Sequence, residues 1–292
     1  MEIKNLFFAL RPNQWIKNIF IILPLIFGKK LFSFPSSLKI LIACLLFSIV
    51  SSVVYIINDI IDLDEDRLHP TKRFRPIASG KVSFRQAKLM ACILGIASLA
   101  LSLFFNFYFG LLTLSYLILN LFYSIILKNV VIIDVFCISA FFLLRIIAGG
   151  IIAEVTLSKW IIIITFFLSM FLGLNKRRQE LKLLGKNDSL HRQVSIKYSP
   201  YFIDQMIAVF TASIVVTYML YAVDTGTVAL FRSKNLVYSI PFVYYGIFRY
   251  LYLIHKCEAD GDPTRILLSD IMMQINIVLW ISVCIAVIYF GL

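Results

Sequence analysis

Residues 38–60 read LKILIACLLFSIVSSVVYIINDI. Between Lys39 and Asp59 no charge interrupts the run, and its length is close to the roughly 20 residues that cross a bilayer core as a helix. No water is available there to pair backbone N–H and C=O groups, so such a run satisfies them internally. It is apolar on every face rather than alternating, which excludes a strand of a membrane barrel. Comparable runs recur along the chain. We read about nine spans, near 14–33, 38–60, 86–106, 108–127, 131–152, 158–175, 205–223, 236–256 and 272–291. Pro24 and Pro241 fall inside the first and the eighth, where kinks are expected. The expected fold is all-α, a polytopic membrane bundle forming one domain over residues 1–292.

Composition agrees with that reading. Of 292 residues, 60% are hydrophobic and 15% charged, with a mean hydropathy of +0.89; a soluble domain of this length needs far less apolar sequence. Cys44, Cys92, Cys137, Cys257 and Cys284 are scattered without a CxxC pair, so neither a disulfide framework nor a thiolate metal site is indicated. The charged segment 1–18 leads into an apolar run that continues as a helix, and no cleaved signal peptide is expected. The net charge of +12 suits basic loops retained in the cytoplasm and contact with phosphates. No nucleic-acid partner is expected.

Charge placement orients the bundle. Two linkers, 61–85 and 176–204, hold most of the cations: Arg67, Lys72, Arg73, Arg75, Lys81 and Arg85, then Lys176, Arg177, Arg178, Lys182, Lys186, Arg192 and Lys197. The opposite side has Lys29, Lys30, Lys39, Lys159, Arg232 and Lys234. The excess of cytoplasmic cations puts both linkers and the N-terminus inside a cell (inner) membrane and the C-terminus outside, with Lys29 and Lys30 in minor dissent. The linkers follow the second and sixth spans, which hints at an internal repeat.

The first linker carries the strongest chemical signal. Asn58-Asp59 is followed by Asp62, Asp66, His69-Pro70, Lys72, Arg73 and Arg75. If the helix continues, Asp59, Asp62 and Asp66 share one face. Clustered carboxylates repel, and a hard divalent cation with oxygen ligands, Mg²⁺ above all, offsets that. Lys72, Arg73 and Arg75 are placed to grip phosphates of the same ligand. His69 reads as turn-shaping, and Asp64 and Glu65 as solvated. The second linker opens with Lys176, Arg177 and Glu180, either a surface helix with internal salt bridges or a phosphate clamp facing the aspartates. At the N-terminus, Arg11, Gln14, Trp15, Lys17 and Asn18 are either interfacial anchors or head-group and phosphate contacts. Asp134 and Arg145 lie on one face of the fifth span, where intramembrane charge marks a functional suspect or glue between helices. Tyr123, Ser124 and Lys128 end the fourth span nearby. Arg249 and Asp270 flank the last linker and are candidates to pair.

The Asn-Asp-x-x-Asp-x-x-x-Asp pattern at Asn58, Asp59, Asp62 and Asp66 resembles the UbiA-type prenyltransferase superfamily. The resemblance implies nine membrane helices around a cavity open to cytoplasm and lipid, with Asp-rich motifs after helices 2 and 6 that bind Mg²⁺ and a diphosphate. The second motif departs, because Lys176, Arg177 and Glu180 stand where aromatic-acceptor enzymes carry aspartates. With 69–80, 11–18, 127–150, Arg249-Tyr250 and Asp262-Pro263, that departure is similar to the decaprenyl-phosphate phosphoribosyltransferase branch.

That branch implies transfer of 5-phosphoribose from 5-phosphoribosyl-1-diphosphate to a polyprenyl (decaprenyl-like) phosphate in the lipid bilayer. Asp59, Asp62 and Asp66 would hold Mg²⁺, with Glu180 beside them as a catalytic candidate. Arg11, Gln14, Lys17, Asn58, Lys72, Arg73, Arg75, Tyr123, Lys128, Asp134, Lys176 and Arg177 would line the substrates. A homo-oligomer stays open. Prenyl transfer from a prenyl diphosphate to an aromatic acceptor is the alternative. A transporter is the more distant one, since charges here cluster at one face rather than at mid-membrane.

Overall fold

The computed structural model describes residues 3–69, 71–184, 198–256 and 263–292. The chain starts with α1 (Ile3–Ala9), runs through 3₁₀ turns (Pro12–Ile21) into the short α2 (Leu23–Phe27), and enters α3 (Phe34–Ile61). Then follow α4 (Leu63–Leu68), α5 (Phe84–Phe105), α6 (Phe107–Ile125), α7 (Ile133–Ala153) and α8 (Lys159–Leu184). The last part holds α9 (Pro200–Val223), α10 (Thr225–Phe231), α11 (Ile240–Lys256), α12 (Pro263–Ser269) and α13 (Ile271–Ile285), the last continuing as π-helical turns to Phe290. Among the described residues 7 helices are long and apolar enough to span a membrane, and the chain is a multi-span, all-α integral membrane protein.

Two expected spans take another form, for a shared reason. The 14–33 run divides into 3₁₀ turns and α2, and the 236–256 run into 3₁₀ turns (Asn235–Ser239) and α11, which has 17 residues. Pro24 and Pro241 sit in the first turn of α2 and α11. Proline lacks an N–H that no carbonyl there needs, so it starts these helices instead of kinking longer ones.

Local signals fix the other boundaries. Ser83 and Gln86 form a reciprocal cap that starts α5. Asn106 turns the chain straight back, its side chain accepting from the Phe109 N–H at 3.0 Å to start α6.

Packing is inverted relative to a soluble protein. Leu89, Ile93, Ile96 and Phe104 of α5 face outward, as a bilayer permits. Ser48, Ser51, Ser52, Thr113, Asn120 and Ser124 are buried. Small and hydroxylated residues let membrane helices approach and bond across. At Gly149 of α7 an added Cβ would lie 2.2 Å from the Ile21 carbonyl oxygen, so only glycine lets the 3₁₀ segment lie this close.

Arg145 completes that contact. It is buried and donates to Asn18 Oδ1 (2.9 Å), the Phe141 carbonyl (2.8 Å), Ser51 Oγ (3.3 Å) and Tyr116 OH (3.0 Å). Phe47, Tyr116 and Phe142 surround its guanidinium. Of its two sequence readings, the structure places Arg145 in the role of glue between helices. At the far end, Lys30 donates to the carbonyls of Ala153 (2.8 Å) and Glu154 (2.9 Å), and Lys29 to that of Phe231 (3.3 Å). These dissenting lysines satisfy helix C-termini, where cations are favoured.

Candidate active site

Three elements bring the first cluster together. The last turn of α3 supplies Asn58 and Asp59, α4 supplies Asp66, and the turn after it supplies Arg75. Asp59 and Asp66 are each 2% exposed. Arg75 Nη1 bridges them, 3.1 Å from Asp59 Oδ1 and 2.5 Å from Asp66 Oδ2. Arg11, in a left-handed backbone conformation (φ 53°), adds a second guanidinium on Asp59 and lies over the Tyr55 ring. The other oxygen of Asp59, Oδ2, is buried without a hydrogen-bond partner. A buried carboxylate oxygen left this way is a costly acceptor that suits a cation.

The expectation of three aspartates on one face needs correcting. The helix stops at Asp62 (φ −89°, ψ 13°) and restarts as α4, so the i, i+3, i+7 spacing no longer aligns. Asp62 turns instead to the buried Lys128. Among the described residues no group of three or more His, Cys, Asp or Glu side chains is set to hold a metal. What is present is a pair, Asp59 and Asp66, in which Asp59 Oδ2 is buried without a partner. Oxygen donors of this kind fit a Mg²⁺ ion completed by substrate phosphates.

Asn58 Oδ1 accepts from Ser124 Oγ at 2.5 Å, tying α3 to α6. Asp64 is solvated, with a side chain 96% exposed, as expected. Arg73 is exposed and lies over the Phe74 ring. Lys72, Gln14, Lys17 and Lys176 are half-buried. The 3₁₀ period of three lines up Trp15 and Asn18, which bond Ser52 Oγ (2.9 Å) and Ser48 Oγ (2.8 Å) of α3 and so seat the segment that follows Arg11.

The second cluster is a buried network rather than a surface helix. Arg177 is 0% exposed. Its Nε donates to Asp134 Oδ2 at 2.5 Å, its Nη2 to Tyr123 OH at 3.2 Å, and its Nη1 to Glu180. These bonds direct all three guanidinium nitrogens at protein groups, one of them within the helix as the salt-bridge reading expected. Glu180 keeps 27% of its side chain exposed and is near enough to His69 to affect its protonation. The second cluster therefore lies within electrostatic reach of the turn that carries His69. Tyr198, which donates to Asp134 Oδ1 at 2.8 Å, escaped sequence reading, because a lone tyrosine after a charged linker carries no signal. Arg249 and Asp270 do pair, at 2.8 Å. Lys186, Arg192, Lys197, Glu258, Asp260 and Asp262 lie outside the described residues.

The UbiA prenyltransferase family model matches residues 21–278. The chain belongs to that family. As a UbiA-family transferase it is similar to the decaprenyl-phosphate phosphoribosyltransferase of Mycobacterium tuberculosis, 33% identical over 287 residues, covering 97% of this chain and 94% of that relative. The Mycolicibacterium smegmatis protein of that name is 34% identical, covering 99% and 94%. The Corynebacterium glutamicum one is 30% identical, covering 96% and 86%. A UbiA homolog from Archaeoglobus fulgidus, solved with GPP and Mg²⁺, shares the fold at a TM-score of 0.69 and 23% identity, covering 96% of this chain and 98% of its own.

In this UbiA-family site His69 shapes the turn, as its sequence suggested. Its Nδ1 accepts from the N–H groups of Thr71 (3.2 Å) and Lys72 (3.3 Å). Burial lowers its pKa below the ordinary 6.5, Lys72 and Arg75 push the same way, and Asp66 and Glu180 oppose them. The folded state thus binds this proton less readily than the unfolded one. The stability contributed by His69 is full above the ordinary histidine value and is lost as pH falls through it. Thermal midpoints should drop from about pH 7.5 to about pH 5.5, and His69→Asn, which keeps an acceptor at the Nδ1 position, should flatten part of that drop. An identical slope in both proteins would rule His69 out as its source.

Proposed function

We propose that this chain transfers 5-phosphoribose from 5-phosphoribosyl-1-diphosphate to a polyprenyl phosphate and releases diphosphate. The observation that carries this is the pairing of each first-motif aspartate with a fixed cation: Asp59 with Arg11 and Arg75, Asp66 with Arg75, and Asp62 with Lys128. A donor with a diphosphate and a 5-phosphate, meeting a phosphate acceptor, brings more negative charge than a prenyl diphosphate does. A site lined by Arg11, Lys72, Arg75, Lys128 and Lys176 suits it. The relatives named for this reaction support the reading.

The residues suggest how charge stays balanced. Before substrate, Arg11, Arg75 and Lys128 neutralise the aspartates. With donor bound, the same cations turn toward phosphate oxygens, in the bidentate manner that favours arginine. Mg²⁺, held by Asp59 and Asp66, would supply neutralisation of the leaving diphosphate. A lipid phosphate oxygen bonds to ribose C1 as the C1–diphosphate bond breaks; that oxygen is already anionic, so no strong base is needed. Positioning by the cations supplies the rate, and the buried Arg177 holds Glu180 beside the site. Residues 1–292 act as one domain, with this end facing the cytoplasm of a cell membrane and the isoprenoid tail in the bilayer.

The test is direct. Purified protein in detergent receives labelled phosphoribosyl diphosphate, polyprenyl phosphate and Mg²⁺, and label is counted in the organic phase. Label above a no-enzyme control supports the reading. Turnover of a prenyl diphosphate with an aromatic acid, and none of phosphoribosyl diphosphate, would replace it.

A further inference from the structure

The turn between α6 and α7 stands in an unusual conformation. Ile132, which precedes α7, has φ 71° and ψ −48°. A β-branched residue is a genuine outlier there. Such conformations persist only when the surroundings over-determine them, and they gather at functional sites. The surroundings here are specific. The Ile132 N–H donates to Tyr198 OH at 2.5 Å, and the same hydroxyl donates to Asp134 Oδ1 at 2.8 Å. The Asp134 N–H bonds the Val130 carbonyl at 3.1 Å.

This turn carries groups of both clusters. Lys128, at its start, pairs with Asp62 of the first. Asp134, at its end, pairs with Arg177 of the second, which in turn holds Glu180. The path of the chain between Lys128 and Asp134 therefore sets the spacing of the two clusters. Tyr198 is 4% exposed and stacks on Phe202, so its ring is fixed independently of its hydroxyl. Burial raises the pKa of that hydroxyl, which remains a donor at neutral pH.

We infer that Tyr198 is a positioning residue, whose hydroxyl holds the 127–134 turn in its strained form and so presents Lys128 to Asp62 and Asp134 to Arg177 at once. Its effect on turnover rests on the proposed reaction; its effect on the turn does not. The decisive pair of variants is Tyr198→Phe, alone and with Ile132→Gly. Glycine adopts positive φ without penalty, so it removes the strain that the hydroxyl offsets.

Tyr198→Phe should lower kcat/KM for phosphoribosyl diphosphate about tenfold, the scale of one lost bond to a charged group. Adding Ile132→Gly should return it to within about threefold of wild type. A residue serving only general packing would not be rescued by a glycine elsewhere. Without substrate, thermal midpoints of Tyr198→Phe, Asp134→Asn and the double variant should be non-additive. Additive losses, or no gain from Ile132→Gly, overturn the inference. If Tyr198→Phe fails to fold, recovery of folded protein by Ile132→Gly decides in its favour and absence of recovery decides against. A wild type inert toward phosphoribosyl diphosphate would sink the proposed reaction, while the midpoints would still decide the role of Tyr198.

Discussion

Asp59→Asn is expected to lower kcat/KM for phosphoribosyl diphosphate by at least about a hundredfold, with the bundle still folded. Two effects add. Asp59 Oδ1 accepts from both Arg11 and Arg75, and loss of the negative charge leaves two guanidinium groups facing a neutral amide. The second oxygen matters more for turnover. Asp59 Oδ2 is the buried atom without a partner. If the asparagine keeps its oxygen toward the two arginines, its NH₂ takes the place of Oδ2 and presents donors where a cation would sit. Affinity for Mg²⁺ should fall accordingly. Chelation should reduce wild-type turnover to background until Mg²⁺ is restored, and the variant should need far more Mg²⁺ than wild type to reach its own maximum. Asp64→Asn is the control, since that side chain is 96% exposed and exposed pairs contribute little. Full wild-type activity in chelator, or an Asp59→Asn variant with an unchanged Mg²⁺ requirement, would remove the metal from the site.

How far the sequence could be read follows from which interactions are local. The membrane helices were legible because a bilayer imposes one rule on every span, and α3, α5 and α7 obey it within a few residues of expectation. The 14–33 run satisfied the same rule and broke it. Whether Pro24 kinks a helix or begins one depends on its neighbours, and here Gly149 of α7 makes room for Ile21 of the non-α segment. That Asp59, Asp66 and Arg75 would gather at one place was readable, because charge at a membrane boundary is costly and seeks partners. The spacing argument failed at Asp62, where one residue leaves the helical path and Lys128 captures its carboxylate. Likewise Lys176, Arg177 and Glu180 announced a charged segment, but not that Arg177 would be enclosed by Asp134 and Tyr123. Those partners lie 43 and 54 residues away in sequence, and no periodicity reaches across two helices.

That enclosure makes Arg177→Met the most damaging single change for stability. Arg177 and Asp134 both have side chains with no exposure. Breaking a buried pair from one side leaves an uncompensated charge, at a cost of about 3–5 kcal/mol. Asp134 would keep the Tyr198 hydroxyl as a side-chain donor, and Glu180 would lose its i, i+3 partner. The expected result is a large fall in thermal midpoint and no measurable turnover. Replacing both partners with apolar residues of similar volume, Arg177→Met with Asp134→Leu, should recover much of the lost stability, since a buried ion pair is often matched by apolar packing. Turnover should stay at background in that double variant, because the Arg177 contact to Glu180 is still missing. The separation of the two readouts is the substance of the prediction. If the double variant were as unstable as Arg177→Met, the pair would not be the source of the loss. If it turned over at wild-type rate, the Arg177 network would have no part in ordering the site, and the face formed by Asp59, Asp66, Arg11 and Arg75 would suffice alone.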